Sequence, residues 1–340
     1  MWKRVGQPRL LEGGVRLTPY TVRQSGFILW PLSGSSKDLN RLYDEVVLYK
    51  EYPRLRAHSF YSFPMGPFCY KLLQFIYCYV FPLSYQGKNN AEILSLQCKL
   101  YRKLFPCLNY TSKYIDSIKT TNKIKIGFIS TNFFNQSVSR DRMGIIRNLP
   151  REVFDVTVFF YFKPSDDLGN FIWESDNTNI VLPDTNIFER RRIIEEQKLN
   201  ILIYCDIGMA PDTYFLAYSR LAPIQCNTWG HSDTSGIDTI DYYLSSVYYE
   251  KSINPQENYT EKLVLLDSLC TFYYKIIENP TIVNKNYFGF SNNTNIYLSS
   301  QVLFKLNPDF DHIINDILNK DPNGVCIFIK MNLGSYIQDT

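Results

Sequence analysis

ILIYCDIGMAPDTYFLAYSRLAPIQCNTWGHSDTSGIDTIDYYLSS, residues 201–246, is the stretch that decides the fold. It opens on an apolar β-type run, ILIYCD (201–206), and continues into a helical segment (211–220) with Pro211 near its first turn. Two further strand candidates follow, IQCNTW (224–229) and DYYLSS (241–246). Working upstream, the same alternation recurs. IKIGFIS (124–130) precedes a polar turn and a helical stretch carrying Met143, Ile145, Ile146 and Leu149. FDVTVFFYF (154–162) is almost continuously apolar, as in strands covered on both faces, and 188–199 reads as a charged amphipathic helix. Strands alternating with helices imply an α/β fold with a parallel sheet clad on both sides.

Downstream, NIYLSS (295–300), a helix over 308–319 and GVCIFIK (324–330) make one further βαβ unit. A lone unit of this kind leaves sheet edges unpaired and has little core of its own. The expected division is therefore an irregular region over 1–75, a Rossmann-like lobe over 76–290, and the incomplete start of a second lobe over 291–340. Within the first region one helix is expected over 38–50, with Leu39, Leu42, Val46 and Val47 on a shared face.

Composition narrows the class. Apolar residues make up 45% of the chain and charged residues 20%, an ordinary globular balance. A net charge of +3 without a long basic run gives no support to a nucleic-acid partner. The eight cysteines form no CxxC pair and no Cys/His ligand spacing, so they read as small buried hydrophobes in a reducing compartment, with no metal site. The most apolar stretch, 68–85, is broken by Lys71, Gln74 and Pro82. It reads as a buried helix followed by a turn in preference to a membrane anchor, and no membrane partner is expected. The start MWKRVGQPRLLEGG has no apolar core of signal-peptide length, and the sequons at Asn109, Asn135, Asn258 and Asn292 are expected by chance in an Asn-rich chain.

Ligands of open parallel sheets bind beyond the carboxyl ends of the strands, and three segments fall there. Residues 130–139 form a polar turn containing Asn135 and Gln136, which could receive an anionic or hydroxyl-rich ligand or could simply cap a helix. Residues 229–236, WGHSDTSG, gather Gly230, His231, Asp233, Thr234, Ser235 and Gly236. The glycines permit close backbone approach, and the polar groups suit sugar hydroxyls or phosphate oxygens, although a plain turn fits the same residues. Residues 301–305, QVLFK, put Gln301 and Lys305 past a strand, where an ammonium could neutralise a departing diphosphate or could be a solvated surface charge. His58 and His312 lack such company and read as surface or structural residues.

These segments, together with FDVTVF, EKLVLL and QVLFKLNPDFDHIINDILNKDPNG, resemble the O-linked N-acetylglucosamine transferase/SPINDLY family in its bacterial-type branch. The resemblance runs from about residue 80 to 330, with YQGKNNAEI and the helix after it as the lead-in. It implies a GT-B-like fold: here one Rossmann-like parallel-sheet lobe plus the first βαβ unit of a second. It also implies transfer from a nucleotide sugar, UDP-GlcNAc or in some members GDP-fucose, to Ser or Thr of proteins. Some bacterial relatives modify Asn. No cofactor or metal is implied, the expected location is cytoplasmic or nuclear, and the expected partners are the nucleotide sugar and a protein acceptor. Lys305 matches the family lysine on the donor diphosphate and Gln301 the polar residue beside it. Gly230, His231, Asp233, Thr234, Ser235 and Gly236 match the loop on the sugar and acceptor side, which makes His231 a catalytic candidate with Lys305. Asp206 and Gly208 occupy the strand end facing the same cleft.

Two departures stand out. Where the family usually carries a histidine after Asn135, this chain has Gln136, which cannot accept a proton usefully at neutral pH. The later strands of the second lobe and the tetratricopeptide repeats are not apparent, so the expectation is a truncated enzyme, weak or inactive alone. The alternative is a non-catalytic binding or scaffold derivative. An unrelated Rossmann-like enzyme has no GxGxxG or P-loop to support it.

Overall fold

The computed structural model describes residues 81–119, 122–183, 186–275, 284–302 and 305–329. The expected helix over 38–50, most of the apolar stretch 68–85 and His58 lie outside them.

Seven strands form one parallel sheet. In chain order they are β2 (Ile124–Ile129), β3 (Phe154–Phe160), β4 (Thr178–Val181), β5 (Ile201–Tyr204), β7 (Ile224–Thr228), β8 (Tyr242–Ser246) and β9 (Lys262–Leu266). Their spatial order is β4-β3-β2-β5-β7-β8-β9, every neighbour parallel. Two short strands, β1 (Tyr110–Thr111) and β6 (Ser219–Arg220), pair separately.

Side-chain alternation divides the core into two layers. Ile129, Phe159, Leu202 and Tyr204 pack to one side. They meet α4 (Ile187–Glu196) through Ile187 and Ile194, α5 (Pro211–Leu216) through Tyr214 and Phe215, and α1 (Ala91–Leu104) through Cys98 and Tyr101. Phe128, Val158, Phe160, Ile203 and Cys205 point the other way, onto Val138, Met143 and Ile146 of α2 (Ser137–Asn148) and Ile172 of α3 (Asp167–Trp173). Both sides are covered, which is why these strands read as unbroken apolar runs rather than alternating ones.

Several sequence expectations shift. The helix expected over 211–220 stops at Leu216, because Ser219 and Arg220 leave it to pair with Tyr110 and Thr111. The edge strand β4, TNIV, and the strand β9 were not anticipated as strands. Residues 81–85 form a 3-10 turn, and among the described residues no helix is long and apolar enough to cross a membrane. Five of the six described cysteines are buried and all six are free thiols.

The final unit is as expected in type. The strand β10 (Asn295–Val302), the helix α6 (Phe310–Lys320) and the strand β11 (Gly324–Ile329) follow one another, and β10 and β11 pair in parallel as a sheet of their own. Gln301, expected past the strand, lies on β10 within the register irregularity between Ser299 and Val302.

Candidate functional site

The chain runs from β2 through β3 to β4 in one direction and from β5 through β7 and β8 to β9 in the other. The reversal between β2 and β5 opens a crevice at their carboxyl ends, where ligands of such sheets bind. Asp206 closes β5 there and is fully buried. It accepts hydrogen bonds from Ser130 Oγ at 2.6 Å and Asn132 Nδ2 at 2.6 Å, so it ties the β2 and β5 ends together. Burial pushes its carboxyl up to about 6, against the opposing pull of these donors.

The loop after β7 is built on this floor. A Cβ on Gly230 would stand 1.8 Å from the carbonyl oxygen of Cys205, so no other residue fits without moving backbone. Gly208, at φ +99°, leaves space for an imidazole: a Cβ there would lie 2.5 Å from Cδ2 of His231. His231 fills that space and stacks on Phe81, with ring centroids 4.8 Å apart and 26° between planes. Burial and then the nearby Lys305 charge bring its pKa down to about 4, so the ring is neutral at pH 7.

Ser84 links this ring to Asp233. Its Oγ donates to Asp233 Oδ2 at 2.9 Å and lies 3.2 Å from His231 Nε2. The one hydroxyl hydrogen goes to the carboxylate, which assigns the imidazole proton to Nε2 and leaves Nδ1 a lone pair. That Nδ1 is buried without a hydrogen-bond partner. His231, expected to act on a substrate directly, is thus enclosed on both edges. Asp233 also receives Asn90 Nδ2 at 2.7 Å and the Thr234 N–H at 3.0 Å.

The next residues of the loop turn inward. Thr234 Oγ donates to Glu261 Oε2 at 2.5 Å, the Ser235 N–H donates to Oε1 at 2.8 Å, and the Ser235 hydroxyl also donates to Oε1. Gly236 lies on the backbone of Leu94 in α1, with a Cβ contact of 2.4 Å that only glycine avoids. These residues, expected on the sugar and acceptor side, hold the loop. In the first loop, Gln136 caps α2 by accepting from the Val138 N–H at 2.8 Å, and exposed Asn135 accepts from Arg140 at 3.3 Å.

Lys305 comes to the same place from the far end of the chain. Its Nζ stands 5.5 Å from the Phe81 ring centroid and 5.3 Å from that of Tyr85, within cation–π range of both. Among the described residues no carboxylate pairs with it. Phe81 therefore carries His231 on one contact and the Lys305 ammonium on another. Gln301 is exposed and forms no part of this cluster. Sequence reasoning missed Ser84, Asn90 and Glu261, whose value lies in distant partners. The FPLSY turn (81–85) carried no local signal beyond its aromatic residues.

No family model matches the sequence, and no curated protein matches it. Among solved structures the fold is similar to that of an O-GlcNAc transferase mutant from Thermobaculum terrenum. The TM-score is 0.54 at 16% identity, over 86% of this chain and 51% of that one. This chain therefore spans about half the length of that transferase. Weaker likenesses are to a putative UDP-N-acetylglucosamine 2-epimerase from Listeria monocytogenes (TM-score 0.34, 12% identity, 64% of this chain and 65% of that one) and to the lipopolysaccharide outer core galactosyltransferase WaaB (TM-score 0.28, 11% identity, 64% and 71%). The architecture is GT-B-like: a doubly covered, seven-stranded parallel sheet followed by one βαβ unit.

Proposed function

We propose that this protein is a glycosyltransferase of the O-GlcNAc transferase type, moving a sugar from a nucleotide-sugar donor, UDP-GlcNAc before GDP-fucose, to Ser or Thr of proteins. The observation that carries the reading is the juxtaposition of Lys305 with the loop after β7. An ammonium with no carboxylate partner among the described residues lies against the Phe81 and Tyr85 rings, beside the buried imidazole at the sheet's ligand-binding edge. The sequence resemblance and the GT-B-like fold add to it.

In this reading the acceptor oxygen attacks the anomeric carbon from the face opposite the diphosphate, inverting that centre. The bond to the diphosphate breaks, and Lys305 balances the charge that leaves with it. A positive group held over aromatic rings gives up weak contacts when an anion arrives, and gains charge-assisted hydrogen bonds.

A second reading, a non-catalytic binding derivative of the same fold, draws on Gln136, whose side chain is committed to capping α2 where a proton-accepting group is expected. Thermal-shift titration with UDP-GlcNAc and GDP-fucose tests donor binding. Stabilisation by a donor that weakens by about tenfold to a hundredfold in Kd on Lys305→Ala, the equivalent of about 1.5–3 kcal/mol for a charged hydrogen bond, supports donor binding. Turnover of the bound donor then distinguishes the enzyme from the derivative. No shift with either donor refutes transfer.

A further inference from the structure

Beside the loop after β7 lies a polar cleft of ≈ 300 Å³, with Ser84, Gly87, Asn90, Ser232, Asp233 and Tyr259 among its lining residues. Its walls are mainly amides and hydroxyls, with one phenol ring and one charged residue of each sign, Lys88 and Asp233. They suit a neutral hydrogen-bonding ligand far better than an acyl chain.

Asp233 is the group in this wall with unused capacity. An ionised carboxylate offers about four lone-pair sites. Ser84 and Asn90 occupy two on Oδ2 and the Thr234 N–H one on Oδ1, which leaves about one on Oδ1 for a donor. Asn90 stands at the N-cap of α1, yet its side chain makes no capping bond and donates to Asp233 instead. The neighbouring Asn89 takes the first N–H of the helix, Ala91 N donating to Asn89 Oδ1 at 2.9 Å, so Asn90 serves Asp233. The cleft also adjoins the Lys305 segment: a Cβ on Gly87 would lie 3.0 Å from Nδ2 of Asn307, and Ser84 bridges to the ring beside Lys305.

We propose that this cleft is the acceptor subsite, that it takes a peptide segment presenting a Ser or Thr hydroxyl, and that Asp233 is the base. The proposal rests on the transfer reading above. The acceptor O–H bond breaks and its proton passes to Asp233 Oδ1. The freed electron pair bonds to the anomeric carbon, and the bond from that carbon to the diphosphate oxygen breaks, its electrons leaving with the diphosphate beside Lys305. Asp233 afterwards releases the proton to water in the cleft. Ser84 and Asn90 are positioning residues that hold Oδ2, and burial that raises the Asp233 pKa assists proton uptake.

Two measurements on the full chain test this. In the first, protein with 15N-labelled asparagine is titrated with acetyl-Ala-Ser-Ala-amide and, in parallel, with acetyl-Ala-Ala-Ala-amide. The side-chain amide signals of Asn89 and Asn90 are expected to move with the Ser peptide and much less with the Ala peptide. Asp233→Asn should abolish that preference, and Ser232→Trp, which fills the cleft from an exposed position, should abolish binding while leaving the fold intact. Equal responses to both peptides, or an unchanged preference in Asp233→Asn, overturn the subsite. In the second, transfer from UDP-GlcNAc to the Ser peptide should fall about 100-fold or more in kcat in Asp233→Asn, the usual scale of general-base loss, while the donor thermal shift persists. A kcat within a few-fold of wild type overturns the base assignment. A missing donor shift with intact Ser-selective binding defeats the transfer reading and the base together, and leaves the hydroxyl subsite standing.

Discussion

Replacing Glu261 by Ala should loosen the loop after β7 by an amount that follows from its hydrogen bonds. Glu261 is 2% exposed, and four donors converge on it: the Thr234, Ser235 and Thr260 hydroxyls and the Ser235 N–H. Without the carboxylate, Thr234 and Thr260 keep each other, since their hydroxyl oxygens are 2.9 Å apart. Ser235 has no such substitute. Its N–H and its hydroxyl hydrogen are both left in a site where the residue is 3% exposed. At about 1–3 kcal/mol for each buried donor without a partner, the two together cost about 2–6 kcal/mol, centred on about 4 kcal/mol.

For a cooperative unit of about 250 residues, 1 kcal/mol moves Tm by about 2–4 °C, so a loss of about 4 kcal/mol should make Glu261→Ala melt about 8–16 °C below wild type. Glu261→Gln keeps an oxygen for the Ser235 N–H and should lose about 1 kcal/mol. Differential scanning calorimetry of the three proteins at one pH and concentration makes the comparison. A Glu261→Ala protein melting within about 2 °C of wild type, less than 1 kcal/mol on this scale, would falsify the claim that Thr234 and Ser235 serve the loop rather than a ligand.

The glycines give a paired test. Gly230→Ala forces a methyl against a backbone carbonyl and should lower soluble yield and Tm severely. Gly144→Ala meets side-chain atoms of Phe272, from a ring carbon at 2.2 Å to its Cβ at 3.0 Å, and this residue is 43% exposed and can shift outward, so the loss should be smaller than at Gly230; equal melting losses refute the distinction. His231 supplies a pH test. Its pKa is about 4 when folded and about 6.5 when unfolded, so the unfolded chain binds the extra proton between those values and the His231 contribution is lost as pH falls from 6.5 towards 4. Urea unfolding of wild type and His231→Asn at several pH values should therefore show the wild-type advantage shrinking by about 3 kcal/mol across that window. Asp206 and Asp141, both raised to about 6, drive stability the opposite way over an overlapping range, so only the difference between the two proteins isolates the imidazole; a pH-independent difference refutes it.

The strands that the sequence reveals are those buried on both faces. Ile126, Phe128, Val158, Phe159, Leu202 and Ile203 leave unbroken apolar runs because each neighbour in the chain faces its own layer of helices. The strand β4 escapes notice because Thr178 and Asn179 sit on a half-exposed edge. The end of α5 escapes because Ser219 answers to Tyr110, far away in the chain. The site divides along the same line. Composition alone marks residues 230–236 as unusual, and the β7 context puts them at the productive end of the sheet. What composition could not assign is the recipient of each polar group. Thr234 and Ser235 look like sugar ligands until Glu261 is found against them, and Ser84 and Asn90 look like nothing until Asp233 is found between them.

The charge pattern around Phe81 follows from the same economy of partners. Were His231 protonated, it would add a second positive charge beside Lys305, and like charges in a buried setting disfavour each other. Burial removes that conflict by keeping the imidazole neutral, and Lys305 in turn keeps it so. Ser84 then separates this neutral ring from Asp233, the acidic group in the cleft wall. The contacts run in a chain, from the Lys305 ammonium over the Phe81 and Tyr85 rings, to the uncharged His231 ring stacked on Phe81, to Ser84 and then Asp233. In the transfer proposed above, the diphosphate would leave beside the cation and the proton beside the carboxylate. An ammonium and a carboxylate in direct contact would neutralise each other, and neither would be available to the reacting groups.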